Sequence, residues 1–357
     1  MRRRPRILCH VLAATAYLAL ALWTFRAVLP DPATLLPENT HLSGEYRTLG
    51  RLDLTMVLWV VTGTAQRLLE RPSALRDGGQ CHPLPDAFTL GEHMLGEGVL
   101  AAPGLALTGD PILAYNLLLV LTVWIPGVAM YALAHHFTRS PPAAFVAGVL
   151  FALEPGRIRD AGHPFIHGDL WAPLALLFLH RTFARGGFGN AFAWAAFLGL
   201  TVLESLYALL GVLLVLLAYG VYAGIAHRAN VRRWLPPLAV AALPVLALAY
   251  AVFGPYLEAR ETWNVLVRSG TMFTPLESLA PGNFAFPGWV LLALAAISLA
   301  DRTRGRRAEE GEDPRLALAA AALLVVWCSV RTASRPGSHC LRTRNGDGIS
   351  MPASGTV

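Results

Sequence analysis

The chain contains no lysine: all 29 of its basic residues are arginine. This reads as the imprint of a GC-rich bacterial genome rather than as a demand for guanidinium groups. Charge of either sign is scarce, at 15% of residues against 55% hydrophobic, and mean hydropathy is +0.48. Such a composition excludes an ordinary soluble domain. The net charge of +6 does not point to nucleic acid, because the arginines lie in short clusters beside apolar segments, where they orient helices in a membrane. The four cysteines are widely spaced without a CxxC pair, which excludes a dense disulfide framework. Cys9 and Cys328 fall in apolar sequence, while a pairing of Cys81 with Cys340 stays open. Also missing are a Walker loop, a GxGxxG turn, HExxH and GxSxG. Helix-embedded charges that would line an ion path are almost absent, and no repeated pair of Gly/Pro-broken helices marks a transporter's inverted repeats.

What is present is a series of apolar runs of membrane-crossing length, about 20 residues each. Met1 to Arg6 is basic and leads into an apolar run that ends near Leu29. That run is too long for a signal-peptide core, so an uncleaved first helix is expected. A long polar stretch, residues 30–111, follows. Within it Leu54, Val57, Leu58, Val61, Ala65, Leu68 and Leu69 recur at three and four, which predicts an amphipathic helix over about 52–69 lying on the membrane surface. A second short helix is predicted over about 90–107. Asp110-Pro111 has the form of a helix start, with Asp as N-cap and Pro in the first turn, opening a helix over about 112–134.

Two shorter runs, about 141–153 and 170–183, flank the polar loop Glu154–Asp169. Residues 191–225 are long enough for two crossings, with Glu204-Ser205 near the middle as a corner. Further helices are predicted over about 235–253, 286–300 and 316–330. The arginine distribution places the N-terminus in the cytoplasm and the long first loop outside. Residues 331–357 are rich in Ser, Gly and Arg without an apolar period and read as a disordered or aberrant tail.

Several side chains are placed to carry chemistry. Asp53, at the head of an apolar helical run, is a candidate general base; a favourable charge at a helix start is the alternative. Glu92 and His93, with Glu97 one turn on, would form with Asp53 a site able to bind a metal or a phosphate-linked group. Otherwise Glu92 serves the helix dipole and His93 is a solvated interfacial residue. Arg157 and Arg159 match phosphate geometry, against the more frequent use of Arg as a snorkelling helix end. His163 and His167 have i,i+4 spacing, but Pro164 between them argues against a helical zinc pair. Trp171 and Trp59 suit an interfacial belt. Glu204 is either an exposed corner or an intramembrane acid.

These residues carry a resemblance. Asp53-x5-Trp59, Leu90-Gly-Glu-His-Met-Leu-Gly96, Ala102-Pro103, Thr108-Gly-Asp-Pro-Ile-Leu-Ala-Tyr-Asn116 and Tyr131-x-Leu-Ala come in order. Ala143-Ala-x-x-Ala-Gly148, Phe151-Ala152, Arg157 with His163, Trp171-x-Pro-Leu-Ala175, His180-Arg181 and Phe286-Pro-Gly288 follow. Together they resemble a bacterial family of polytopic membrane proteins related to the GT-C glycosyltransferases, over about 51–298. The resemblance implies an all-α, polytopic transmembrane helical bundle of about eight to nine membrane helices, with two amphipathic helices in the first outer loop. It implies a polyprenyl-phosphate-linked sugar donor and an acidic loop residue as base. Asp53 matches that acid, although Leu54 stands where a proline usually follows. Glu92-His93 matches the second acidic motif, and His163 and Trp171 match the motif after the third helix. Such relatives are usually longer, with an outer C-terminal domain.

The expectation is a transmembrane domain over 1–330 and a tail over 331–357, in the bacterial inner membrane. Its function would be transfer of a sugar from a polyprenyl-phosphate donor to an acceptor on the outer face. Asp53, Glu92 and His93 would be catalytic, with Arg157, Arg159, His163 and Trp171 on the donor. Membrane lipid and the lipid-linked sugar are the expected partners and nucleic acid is not. No cofactor is demanded, although a divalent metal is compatible with the site. The alternative is a non-catalytic membrane protein, either a transporter or flippase for lipid-linked sugars or an inactive truncated relative.

Overall fold

The computed structural model describes residues 4–37, 45–77, 86–154, 157–158 and 160–263. The helices expected over 286–300 and 316–330, the tail 331–357, Arg159, Cys81 and Cys340 lie outside the described residues. The described part is all-helical. Its α-helices, numbered in chain order, are α1 (Arg4–Thr24), α2 (Glu45–Glu70), α3 (Leu95–Thr108), α4 (Pro111–Thr138) and α5 (Pro141–Ala152). After these come α6 (Ala172–Arg185), α7 (Phe188–Glu204), α8 (Leu206–Ala226) and α9 (Val231–Trp263).

By length and composition, four stretches can cross a membrane: Ile7–Thr24, Pro111–Thr138, Ala208–Ala226 and Arg228–Ala259. Their outward side chains behave as those of an integral membrane protein. On α8, Leu217, Val221 and Ile225 are exposed, and on α9 Leu243, Leu246 and Tyr250 are too. Water would penalise such faces, whereas hydrocarbon does not. Leu95–Thr108, Pro141–Ala152 and Phe188–Glu204 are apolar but shorter. A 14-residue helix such as α3 spans only about 21 Å at 1.5 Å per residue.

The local signals act as their chemistry requires. Asp110 caps α4 by accepting from the Leu113 N–H at 2.9 Å, with Pro111 in the first turn. Ser140 and Pro141 repeat the device at α5. Gly109 ends α3 with φ +68°, in the left-handed region that glycine enters without penalty. Arg139 ends α4 in the same region, φ 55°, at a cost of about 1–2 kcal/mol for a residue with a Cβ. That strain lets α4 turn directly into α5, and it aims a guanidinium-bearing residue at one end of the bundle.

Helix α4 is the central element. Its spanning window is 56% buried, against 17% for α1 and 28% for the spans in α8 and α9. Polar side chains tie its neighbours to it. Asn116 donates to the carbonyls of Pro32 and Leu35 at 2.8 and 2.7 Å, holding the chain that leaves α1. Trp124 donates to the Ala14 carbonyl at 2.9 Å, and Tyr17 donates to Phe145 of α5 at 2.9 Å. Tyr17 lies where α4 and α5 both present glycine. A Cβ on Gly148 would overlap the Tyr17 hydroxyl and sit 2.6 Å from the Gly127 carbonyl oxygen. Gly148→Ala is therefore expected to cost about 1–3 kcal/mol through overpacking, read as a lower unfolding temperature in detergent. Gly220→Ala, where a Cβ meets nothing within 4 Å, serves as the neutral comparison.

The order of elements sorts the chain's polar groups by end. The α5–α6 loop, the α7–α8 corner and the start of α3 meet at one end. The start of α1, the ends of α4 and α6 and the start of α9 define the other.

Candidate functional site

Asp53 is not at a helix start. Helix α2 begins at Glu45, so Asp53 sits more than two turns inside it at 3.6 residues per turn. The dipole alternative for Asp53 therefore fails. Leu54, Val57, Val60, Val61 and Ala65 bury the face of α2 that meets α3 and α4. Asp53 stands at the edge of that face, its side chain 50% exposed. Facing it is His163, whose side chain is only 5% exposed and whose Nε2 lies 3.0 Å from Asp53 Oδ2. The contact has ion-pair distance but not hydrogen-bond alignment. His163 is held by its own loop: its N–H donates to the Asp160 carbonyl at 2.8 Å, and its carbonyl accepts from Ile166 at 3.2 Å.

The same loop places Arg157. Its guanidinium is 4% exposed and turns inward, with Nη2 2.5 Å from Asp169 Oδ1. Nη1 donates to the carbonyls of His167 and Thr122 at 3.4 and 3.5 Å, and the group lies 5.5 Å over the Phe151 ring. At its N-terminal side, the Arg157 N–H donates to Glu154 Oε2 at 2.8 Å. Arg157 is thus a buried strut joining the loop to the start of α6, and the structure does not present it to a lipid phosphate. Burial, followed by the Arg157 charge, holds His167 below its ordinary imidazole range. A void of about 10 Å³ lies among Thr122, Arg157, His163 and His167, room for roughly one water. Trp171 sits at the α6 N-terminus and stacks on Phe197, centroids 6.0 Å apart.

Two acids complete this end. Glu97 on α3 and Glu204 at the end of α7 are 1% and 0% exposed. The chain approaches itself closely here. A Cβ on Gly96 would come 3.0 Å from Glu204 Cγ, and one on Gly168 would come 2.9 Å from Ser205 Cβ. Glu204 is the corner between two helices but is buried, so the exposed-corner alternative fails. It lies in the field of Glu97, Asp169 and Arg157. Tyr115, fully buried on α4, lies in the fields of both Glu97 and Asp53 and donates to the Gly162 carbonyl at 2.7 Å. Burial, reinforced by the Glu92 charge, holds the Glu97 carboxyl well above the ordinary carboxylate range despite its own backbone hydrogen bond. It is biased toward the protonated form.

Glu92 and His93 form a neighbouring group. No hydrogen bond or ion pair joins either of them to Asp53. Glu92 Oε2 accepts from the Leu206 N–H at 3.1 Å, so it serves the start of α8 rather than that of α3. Burial raises its carboxyl against the hydrogen bonds from Leu206 and Ser205. His93 is 2% exposed, packs near Phe253 and Tyr256, and accepts from Leu95 N–H at its Nδ1 over 3.2 Å. Far from being solvated, it is buried, and burial lowers its pKa from 6.5 to about 4.

That shift has a sign. Between about pH 4 and 6.5 the ring is neutral in the fold and charged in the unfolded chain, so unfolding takes up a proton. Stability from His93 is therefore present above pH 6.5 and lost as pH falls toward 4. Glu92 and Glu97, with raised carboxyls, act with the opposite sign. His93→Leu isolates the imidazole contribution. The unfolding-temperature advantage of the parent over this variant is expected to shrink from pH 6.5 to pH 4. A constant difference across that range excludes the assignment.

Among the described residues no group of three or more His, Cys, Asp or Glu side chains converges to hold a metal ion. Sequence patterning missed Tyr115, whose only local signal was a polar Tyr-Asn pair just inside an apolar helix. It also did not pair Asp53 with His163. Compared with protein-family models, curated proteins and solved structures, the chain matches none.

Proposed function

We propose that the chain is a membrane glycosyltransferase of the GT-C type, transferring sugar from a polyprenyl-phosphate donor to an acceptor hydroxyl with inversion. The observation that supports this reading is the Asp53–His163 pair. It combines a half-exposed carboxylate with a buried imidazole 3.0 Å behind it, at the end of an apolar bundle where a lipid-linked substrate would arrive. Asp53 takes the acceptor proton as the new C–O bond forms at the anomeric carbon. The bond from that carbon to the phosphate oxygen breaks, and polyprenyl phosphate leaves. His163 backs the carboxylate from the buried side, 3.0 Å away. Arg157, through Asp169, positions the loop that carries His163. Contact with the donor phosphate then falls to residues such as Arg159. In this reading the bundle has eight to nine crossings in the bacterial inner membrane, with the N-terminus cytoplasmic.

The full chain reconstituted in lipid nanodiscs is expected to consume labelled polyprenyl-phosphate sugars when offered acceptor hydroxyls. No consumption across a panel of hexose and pentose donors would count against enzymatic function. One observation favours the second reading, a non-catalytic protein that handles lipids. A cavity of about 420 Å³ is lined by no acidic residue and lies away from Asp53. Donor binding without consumption would select that reading.

A further inference from the structure

The 420 Å³ cavity lies among α1, α4 and α6, with its charged head toward the end of the bundle opposite the Asp53 cluster. Its size falls within the roughly 300–1,000 Å³ of small-molecule sites. Tyr17, Val128, Leu177 and Phe178 give it an apolar body. Its head is cationic or polar. His10, His135 and Arg181 all line it, and His10 Nδ1 is 2.8 Å from the Tyr131 hydroxyl. The Arg181 guanidinium lies 5.2 Å over the Phe178 ring, and its Nε is buried without a hydrogen-bond partner.

Like charge gathers around this head. Arg181 lies in the fields of Arg185 and Arg139. The charged groups acting on neighbouring His136 are Arg181, Arg139, Arg185 and His135, and none is acidic. Two elements bring the cations together by construction: Arg139 sits at the left-handed end of α4, and Arg185 in the last turn of α6. Arg181 is the guanidinium that lines the apolar cavity, with Arg139 and Arg185 exposed nearby and no acidic residue in the lining, which leaves positive charge that an external anion would neutralise. On the α1 side a single helix separates the cavity from the surroundings, lining it with His10, Ala14 and Tyr17 and exposing Val11 and Leu18 outward.

We infer that this cavity is a binding site for an anionic phospholipid, with its acyl chain along Tyr17, Leu177 and Phe178 and its phosphate on Arg181. Guanidinium is the side chain suited to such a phosphate, because its fork offers paired donors. Basic pockets between membrane helices recognise anionic headgroups on this physical basis. The site is independent of the Asp53 chemistry: it runs along α6 from Leu174 to Arg181, with its charged head toward the far end, and shares no residue with the Asp53 cluster.

The test is native mass spectrometry of the full detergent-solubilised chain with equal amounts of phosphatidylglycerol and phosphatidylcholine. Phosphatidylglycerol is expected to be retained about tenfold better, the scale of one hydrogen-bonded charge. Arg181→Gln should reduce that retention to the phosphatidylcholine level. Ala132→Phe, which keeps the charge and fills the cavity, should reduce retention of phosphatidylglycerol as well. Equal retention of the two lipids by the parent would overturn the proposal. So would a phosphatidylglycerol preference that survives both substitutions. Displacement of the lipid by water-soluble glycerol phosphate at similar concentration would also overturn it, since the site would then read phosphate alone.

Discussion

Asp53→Asn is expected to lower sugar transfer by about 10²- to 10⁴-fold, the usual contribution of a positioned general base. The amide keeps the shape of the carboxylate but does not take a proton from an acceptor hydroxyl. Its effect on folding should be small, within about 0.5 kcal/mol for a surface substitution, because half of the side chain is exposed and its helix is held elsewhere. Val57, Val61 and Ala65 bury the inner face of α2, and none of those contacts involves the Asp53 headgroup. Single-turnover transfer and an unfolding curve on the same preparation separate the two effects. A loss of rate with an unchanged curve is the expected pattern.

The largest effect on stability should come from Arg157→Met, at about 3–5 kcal/mol. The guanidinium is 4% exposed and its partner Asp169 is 2.5 Å away. Removing it leaves Asp169 near Glu204 and Glu97 with no cation between them. The penalty combines the lost contacts of the buried guanidinium with an uncompensated Asp169 carboxylate, which is 31% exposed and partly screened by solvent. The double variant Arg157→Met/Asp169→Leu should recover much of the loss, because both charges then go together. Thermal unfolding in detergent checks both. If the double variant is no more stable than Arg157→Met, the ion pair is not what holds the α5–α6 loop.

Elements that depend on local chemistry were legible in the sequence. Asp110-Pro111 does start α4, and the break at Ser205 divides α7 from α8 where the Glu204-Ser205 corner was expected. Boundaries drifted where packing extends a helix beyond its apolar period. Helix α2 begins at Glu45 rather than near Leu52, and this moved Asp53 from a helix start to its interior. Direction was not legible. The arginines of the 154–169 loop read as phosphate ligands, yet Arg157 turns inward because Asp169 and two carbonyls await it there. Nor does any local pattern announce that Glu97 and Glu204 are buried. That follows from Gly96 and Gly168, which let three segments approach within a Cβ of one another. The pairing of Asp53 with His163 is of the same kind, a tertiary contact between segments far apart in the chain.

A double-mutant cycle on that pair tests the account most directly. Asp53→Asn, His163→Gln and the double variant would be compared in single-turnover sugar transfer. Residues that act as one unit are strongly non-additive. The rate of the double variant should therefore be no lower than that of Asp53→Asn alone, with both far below the parent. If Asp53→Asn transfers sugar as fast as the parent, or if the two losses simply multiply, the Asp53–His163 pair is not the catalytic centre.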